Sequence, residues 1–290
     1  MKNYKGIFFD WDGTAVLSRR APADEAVKAM KPLLSKGVCL VIVSGTTLDN
    51  IVGGEIAACF TPEELRNLYL GLGRGAFNYD FPDGNPHVFE DLMPDSDLME
   101  RIHRTCFEIH MELKKRYDFD TDIVFSRPNY CKIDLMVNRL RGDSLYMQEN
   151  ELALLKTILQ EHRIEGGVAA LFRLAREVGN QYNLQVKSTC DAKYLEVGIS
   201  DKGDNVDTIL RKIGEERGIT AEDCSFWGDE FVGIEKSIFG SDSCMCTELT
   251  KGGDFYDVSS LPGERPEAVT ILGGGVDRFL RFLKEQMREG

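Results

Sequence analysis

Short apolar runs alternate with stretches of helical period along the first part of the chain. Lys5–Phe9 (KGIFF) is uninterrupted enough for a buried strand and runs straight into Asp10. Pro22–Ser35 places Ala26, Val27, Met30, Leu33 and Leu34 at the spacing of one helix face, and Gly37 stops it. Val38–Val43 is a second apolar run, ending at Ser44-Gly45-Thr46. Thr61-Pro62-Glu63 opens another helix, and Leu68–Leu72 is a third strand. Strand, helix, strand, helix, strand is the rhythm of a parallel sheet with crossover helices.

The rhythm then changes. Phe81–Pro86 is rich in turn formers, and Asp95–Tyr117 reads as one long amphipathic helix opened by Asp95 and Ser96. Ile123–Ser126 and Lys132–Val137 have the alternation of paired strands. Asn150–His162 and Val168–Asn180 have helical spacing, and Leu184–Ser188 and Tyr194–Val197 are strands again. This mixture predicts an inserted α+β unit at about 80–190, within an α/β core built from 1–79 and 191–290. Beyond residue 200 the parallel rhythm resumes: a helix over Asn205–Arg217, a strand over Cys224–Trp227 with Asp229 at its C-terminal end, and a glycine-led amphipathic helix over Gly273–Met287. Gly273–Gly275 resembles a phosphate loop only superficially, since no Lys-Ser/Thr follows, and it reads as a helix entry.

Composition narrows the classes. The 290 residues, 42% hydrophobic and 29% charged, suit a globular chain with a sizeable core. No apolar run reaches the roughly 18 residues of a membrane span, and the N-terminus lacks the features of a signal peptide, so a cytoplasmic location is expected. A net charge of −13 argues against a nucleic-acid partner but leaves room for a small anion held by one local cation and a metal. Eight cysteines without a CxxC pair are expected to be reduced thiols; Cys244 and Cys246 read as same-face residues of a strand rather than a metal site.

Four segments carry candidate chemistry. In Asp10-Trp11-Asp12-Gly13-Thr14, two carboxylates follow an apolar strand and enter a turn, where they can face one crevice; the same residues also suit an ordinary turn. One carboxylate could attack phosphorus while the other moves a proton. Ser44 and Gly45 offer a hydroxyl and free amides at a strand-to-helix junction, as an anion site or a helix cap. Lys202, just ahead of a helix, is either a phosphate cation or a solvated side chain. Asp229 in FWGDE is either an oxygen ligand suited to magnesium or a helix cap. Each segment is ambiguous alone, but all four fall at the C-terminal ends of strands or the starts of the following helices.

Together they resemble the haloacid dehalogenase (HAD) superfamily of phosphohydrolases. Asp10–Thr14 matches its DxDGT motif, Ser44 the hydroxyl motif, Lys202 the lysine motif, and Gly228-Asp229 part of the GD motif. The long interval between Ser44 and Lys202 resembles the subgroup with a C2-type cap between motifs two and three, which includes sucrose-phosphate phosphatase, trehalose-phosphate phosphatase and phosphomannomutase. Gly73-Arg74-Gly75-Ala76 resembles the segment entering that cap, and Leu195-Glu196-Val197 the one leaving it.

The resemblance implies a Mg2+-dependent phosphomonoesterase acting on a small phosphorylated metabolite such as a sugar phosphate. Asp10 would be nucleophile and Asp12 acid and base. Lys202, Ser44 and Gly45 would hold the phosphate, and Asp10, the Asp12 carbonyl and Asp229 the metal. Thr14 would order the loop, and Trp11 would pack locally or flank the entrance. Arg127, Lys132, Asn138, Arg139 and Arg141 are the candidate cap contacts. The chain departs from the pattern at Gly233, where the subgroup carries a further acid after GD; Glu230 or Glu235 is the expected substitute. A phosphomutase and a non-catalytic phosphosugar-binding protein are the alternatives.

Overall fold

The computed structural model describes residues 2–137 and 149–287. The apolar runs form the centre of one sheet. Strands β1 (Gly6–Phe9), β2 (Cys39–Val43) and β3 (Leu68–Leu72) are buried along their whole length, as expected of parallel strands covered on both faces. Alternate side chains serve opposite layers. Ile7, Phe9, Leu40 and Ile42 pack under helices α1 (Asp24–Ser35) and α7 (Gly275–Gln286), whereas Phe8, Val41 and Val43 pack under α6 (Lys202–Arg217). The short helix α2 (Pro62–Leu65) starts on a capping box formed by Thr61 and Glu64.

After β3 the chain makes an antiparallel hairpin, β4 (Phe77–Asp80) and β5 (His87–Asp91), with the turn-rich Phe81–Pro86 between them. This hairpin hydrogen-bonds to β3. Helix α3 (Ser96–Tyr117) follows, its first turn capped by the Asp95 carboxylate, which accepts from Leu98 N at 2.7 Å. Then come β6 (Asp122–Val124), β7 (Tyr130–Asp134), α4 (Glu149–Glu161), α5 (Gly167–Gln181), β8 (Lys187–Cys190) and β9 (Tyr194–Gly198). The four strands form a separate antiparallel sheet in the order β6-β7-β9-β8. The helices cover it over their own hydrophobic cluster, which includes Ile109, Leu113, Ile133, Leu171 and Leu195.

After α6 the chain returns to the large sheet through β10 (Cys224–Gly228). A small hairpin follows, β11 (Gly233–Glu235) and β12 (Ile238–Phe239), then β13 (Asp254–Asp257) and β14 (Val269–Ile271). The large sheet therefore runs β14-β13-β10-β1-β2-β3-β4-β5, parallel from β14 to β3. Trp227, centred 4.1 Å from the Phe282 ring and 4.6 Å from Tyr256, fastens α7 beneath β10.

An α/β core with an inserted antiparallel cap is thus the architecture, as expected, but several bounds differ. The expected insert of 80–190 is crossed at both ends: His87–Asp91 belongs to the large sheet and Tyr194–Gly198 to the small one. Backbone pairing, not composition, decides sheet membership. Helix α6 begins at Lys202 rather than Asn205, because Asp201 and Asp204 close a capping box ahead of it. Cys244 lies on a 3-10 turn (Ser241–Met245) that Cys246 closes, not on a strand; the chain is bent there by the backbone contacts of Asp242 described below. The described residues place all eight cysteines as free thiols. No helix among them is long and apolar enough to cross a membrane.

Candidate active site

The C-terminal tips of β1, β2 and β10 meet the N-terminus of α6 at one cavity of about 380 Å3, roofed by the small sheet. Four segments that read as ambiguous motifs, three at strand tips and one at a helix start, come together here. Asp10 leaves β1 with its amide bonded to Trp227 O at 2.9 Å, which ties the tip of β1 to β10. Lys202, the first residue of α6, is buried and reaches Asp10 Oδ1 at 2.9 Å. Its ammonium also donates to Asp242 Oδ1 at 2.6 Å. Ser44 and Gly45 line the same cavity, Ser44 Oγ accepting from Thr46 N at 3.3 Å.

Gly13 has a local reason. Its φ is +85°, and a Cβ there would lie 2.3 Å from Asp229 Oδ2, so the loop after β1 closes over Asp229 only with glycine. Thr14 donates to Asp229 Oδ1 at 3.1 Å, and Trp11 is buried in the core. Asp12 faces Arg19, whose guanidinium lies 2.8 Å from Oδ2; the pair has ion-pair separation without hydrogen-bond alignment, and both Asp12 oxygens are buried. Arg19 also donates to Thr46 Oγ1 at 3.3 Å. The Asp12 carboxylate thus lines the same cavity as Asp10 but pairs with Arg19 rather than with Lys202.

Asp242 is the residue that sequence reasoning missed. It is completely buried, and its Oδ2 accepts from Asp229 N at 3.0 Å and Glu230 N at 2.8 Å, while Oδ1 takes the Lys202 ammonium. Asp10, Asp229 and Asp242 each offer a carboxylate oxygen within 4.8 Å of the others. A buried acid thus lies beside Asp229 thirteen residues further along the chain, after the β11–β12 hairpin, where Gly233 has none. Of the two expected substitutes, Glu230 lines the cavity and accepts from Ser241 Oγ at 2.7 Å. Glu235 lies elsewhere, accepting from Ala169 N at the start of α5. Nothing in the FGSDS stretch announces Asp242, because its position depends on the excursion of the hairpin.

Electrostatics favours a cation at this cluster. Burial pushes Asp229 well above the usual carboxylate range, and Asp10, Asp242 and Glu230 add to it. Burial likewise raises Asp10; Lys202 opposes the rise, while Asp242 and Asp12 add to it. Burial lifts Glu230 to about 7, against Lys202 and with Asp242 and Asp191. Burial alone would lower Lys202, but Asp10, Asp242 and Glu230 outweigh it and hold the ammonium charged. Four carboxyl groups share one ammonium, a deficit of positive charge that a divalent ion would fill. The all-oxygen donor set of Asp10, Asp229 and Asp242 fits a hard cation such as Mg2+.

The roof of the cavity is a second charged layer. Lys132 and Glu196 face each other across β7 and β9, with Lys132 Nζ 2.7 Å from Glu196 Oε1. Thr189 Oγ1 donates to Glu196 Oε2 at 2.8 Å, and Arg74 Nε lies 3.2 Å from the same oxygen. Arg74 comes from the turn after β3 and is buried; it also donates to Lys187 O of β8 at 3.2 Å and to Ser200 O, in the link from β9 to α6, at 2.7 Å, tying the large sheet to the small one. Tyr130 and Tyr194 flank Lys132 with ring centres 5.9 and 5.0 Å from Nζ. Of the expected cap contacts, Lys132 and Arg127 line the cavity. Asn138, Arg139 and Arg141 lie outside the described residues.

Burial would raise the Glu196 carboxyl, yet Lys132 and Arg74 outweigh it and bring it down to about 2. A depressed carboxylate stabilises the fold above its unfolded value of about 4.3, and that contribution is lost as pH falls through about 2. Glu196→Gln is expected to lower unfolding stability at pH 7 by about 3 kcal/mol, because it leaves the half-buried Lys132 and the buried Arg74 without their shared carboxylate. Urea melts of both proteins at pH 7 check this. Equal midpoints would show that the charge of Glu196 contributes nothing.

The comparisons bear on the fold. No family model matches the chain. The chain is 28% identical over 119 residues to the Mycoplasma genitalium protein named "Putative phosphatase MG265", a match that covers 41% of this chain and 38% of that protein. Among solved structures, trehalose-6-phosphate phosphatase of Aspergillus fumigatus superposes with a TM-score of 0.57 at 17% identity, covering 99% of this chain and 94% of that one. The chain has the fold of the HAD phosphatases. IMP-bound IMP-nucleotidase of Plasmodium falciparum superposes with a TM-score of 0.58 at 12% identity, over 98% of this chain and 68% of that one. The two superpositions reach beyond the large sheet, because each spans nearly the whole of this chain, its antiparallel roof included.

Proposed function

We propose that this protein is a Mg2+-dependent phosphomonoesterase that works through a phosphoryl-aspartate on Asp10. The convergence of Asp10, Asp12 and Lys202 on one cavity, with the carboxylates of Asp229 and Asp242 clustered on that of Asp10, carries the reading. Asp10, Asp229 and Asp242 would hold the magnesium, joined by the Asp12 carbonyl. When bound, the ion would draw charge from the transferring oxygens and keep the crowded carboxylates ionised.

The residues of the chain then divide the work. Lys202, with the Ser44 hydroxyl and the Gly45 amide, binds the phosphoryl oxygens and orients phosphorus toward Asp10. An Asp10 oxygen forms a bond to phosphorus as the bond to the ester oxygen breaks, and Asp12 gives its proton to the departing alkoxide. Asp12, now a carboxylate, takes a proton from water as that water attacks phosphorus. The aspartyl–phosphate bond breaks, inorganic phosphate leaves, and Asp10 is restored. Arg19, 2.8 Å from Asp12, orients the carboxylate that changes protonation state in both halves.

The roof favours a small, polar leaving group such as a sugar. Lys132, Glu196 and Thr189 can meet hydroxyl groups, and the rings of Tyr130 and Tyr194 offer an apolar face beside them. Arg127, exposed on the loop before β7, stands where it can reach the rim of a bound ligand.

A panel of sugar phosphates, nucleoside monophosphates and p-nitrophenyl phosphate, assayed for inorganic phosphate with Mg2+ and again with excess EDTA, tests the reading. Release of phosphate with Mg2+, abolished by EDTA and restored by added Mg2+, is the expected result. Isomerisation of a hexose phosphate without phosphate release would identify a mutase instead. Binding without either reaction would identify a non-catalytic protein.

A further inference from the structure

The detour between Asp229 and Asp242 leads into the other half of the molecule. The β11–β12 hairpin begins at the metal-facing end of β10, but its apolar side chains belong to the roof. Val232 is completely buried in the hydrophobic cluster that also holds Leu171, Leu174 and Val178 of α5, and Ile234 and Ile238 pack against that cluster. Glu235 fastens the tip. Its Oε2 accepts from Ala169 N at 3.0 Å, and the site is so close that a Cβ on Gly167 would lie 2.0 Å from Oε1. A carboxylate at this helix start also faces the positive end of the α5 dipole.

The hairpin is stitched at its base as well. Gly240 N donates to Val232 O at 2.9 Å and Gly233 N to Glu264 O at 2.8 Å. Immediately beyond, Ser241 bonds to Glu230, and Asp242 bonds to the amides of Asp229 and Glu230. A continuous chain of short bonds and buried contacts therefore runs from α5 to the acids around Lys202. The acid that a four-residue spacing would have placed at Gly233 has been replaced by one whose position depends on where the roof sits.

We propose that the β11–β12 hairpin couples the seating of the roof on the core to the metal-binding acids, with Glu235 as the positioning residue. The inference rests on the metal reading given above. Coupling between two places in a protein is reciprocal, so loosening the hairpin from α5 must weaken the cation, and binding the cation must tighten the hairpin on α5. A role confined to general stability would lower the melting temperature without changing cation affinity in the folded protein.

The test titrates Mn2+ into the full chain and reads free ion by electron paramagnetic resonance, for wild type, Glu235→Ala, Glu235→Gln and Asp229→Asn. Wild type is expected to bind one Mn2+ at this cluster and Asp229→Asn to bind it far more weakly. Glu235→Ala should bind about fivefold or more weakly than wild type. Glu235→Gln keeps an oxygen for Ala169 N and should lie nearer to wild type. If wild type and Asp229→Asn bind alike, the metal reading itself fails. If Asp229→Asn loses the ion but Glu235→Ala binds as wild type does, the coupling is overturned while the metal site stands. Should Glu235→Ala be unfolded by circular dichroism, amide exchange of wild type with and without Mg2+ decides. Slower exchange at Ala169 and Gly240 on adding Mg2+ supports the coupling, and unchanged exchange at both refutes it.

Discussion

Asp10→Asn should abolish Mg2+-dependent phosphate release, by at least about 10^4-fold in kcat, while leaving a folded protein. The carboxamide nearly matches the carboxylate in shape but is far too weak a nucleophile to form the bond to phosphorus, and Asp242, the other acid on Lys202, does not line the cavity. The fold should not suffer. Asp10, Asp229, Asp242 and Glu230 crowd one ammonium, so removing one negative charge relieves repulsion, and Lys202 keeps Asp242 at 2.6 Å. Without Mg2+ the variant should therefore melt at the same temperature as wild type or higher. Residues built for chemistry at the expense of stability behave in this way. Phosphate release and thermal melts on the same preparation separate the outcomes: a folded Asp10→Asn protein with undiminished turnover would remove Asp10 from the mechanism.

Asp242→Ala should have the second-largest effect, and through a different route. Asp242 does three things at once: it offers an oxygen to the cation cluster, holds the Lys202 ammonium, and accepts the amides of Asp229 and Glu230. Alanine removes all three and leaves two buried amides without acceptors. The Mg2+ concentration needed for half-maximal phosphate release is expected to rise by about 100-fold or more. Saturating Mg2+ should recover only part of the rate, since Lys202 has lost one of its two anchors. Glu230→Gln is the informative contrast, because Glu230 lines the cavity without joining the three acids whose oxygens cluster. It should shift the Mg2+ requirement far less. A Mg2+ titration in which Asp242→Ala matches wild type would leave the departure at Gly233 without a substitute.

Much of this site could be read from local pattern. Asp10, Ser44, Lys202 and Asp229 each close an apolar run or open a helix, and a parallel sheet delivers all such positions to one edge. Gly13 was legible for the same reason, as the turn after a strand. The contacts that escaped notice are those that a loop, a hairpin or the packing of the two sheets brings about. Arg19 meets Asp12 from within a loop, Arg74 meets Thr189 and Glu196 from across the molecule, and Asp242 returns only after a hairpin packed against the roof. Glu235 was singled out from sequence as a substitute acid, and the hairpin carried it to the first turn of α5 instead. Proximity in sequence to Asp229 was a poor guide because the chain between them leaves the site.

The linear order of apolar runs, glycines and capping residues was enough to determine the parallel core, the existence of an insert and the edge where chemistry would gather. Those features depend on periods of two and 3.6 residues and on dihedral angles that neighbouring residues impose. Tertiary structure alone decided which acids cluster, which charges on the roof neutralise one another, and which sheet each boundary strand joins. Those outcomes depend on distances between segments far apart in the chain, and the energy of a buried charge is set by whatever surrounds it after folding.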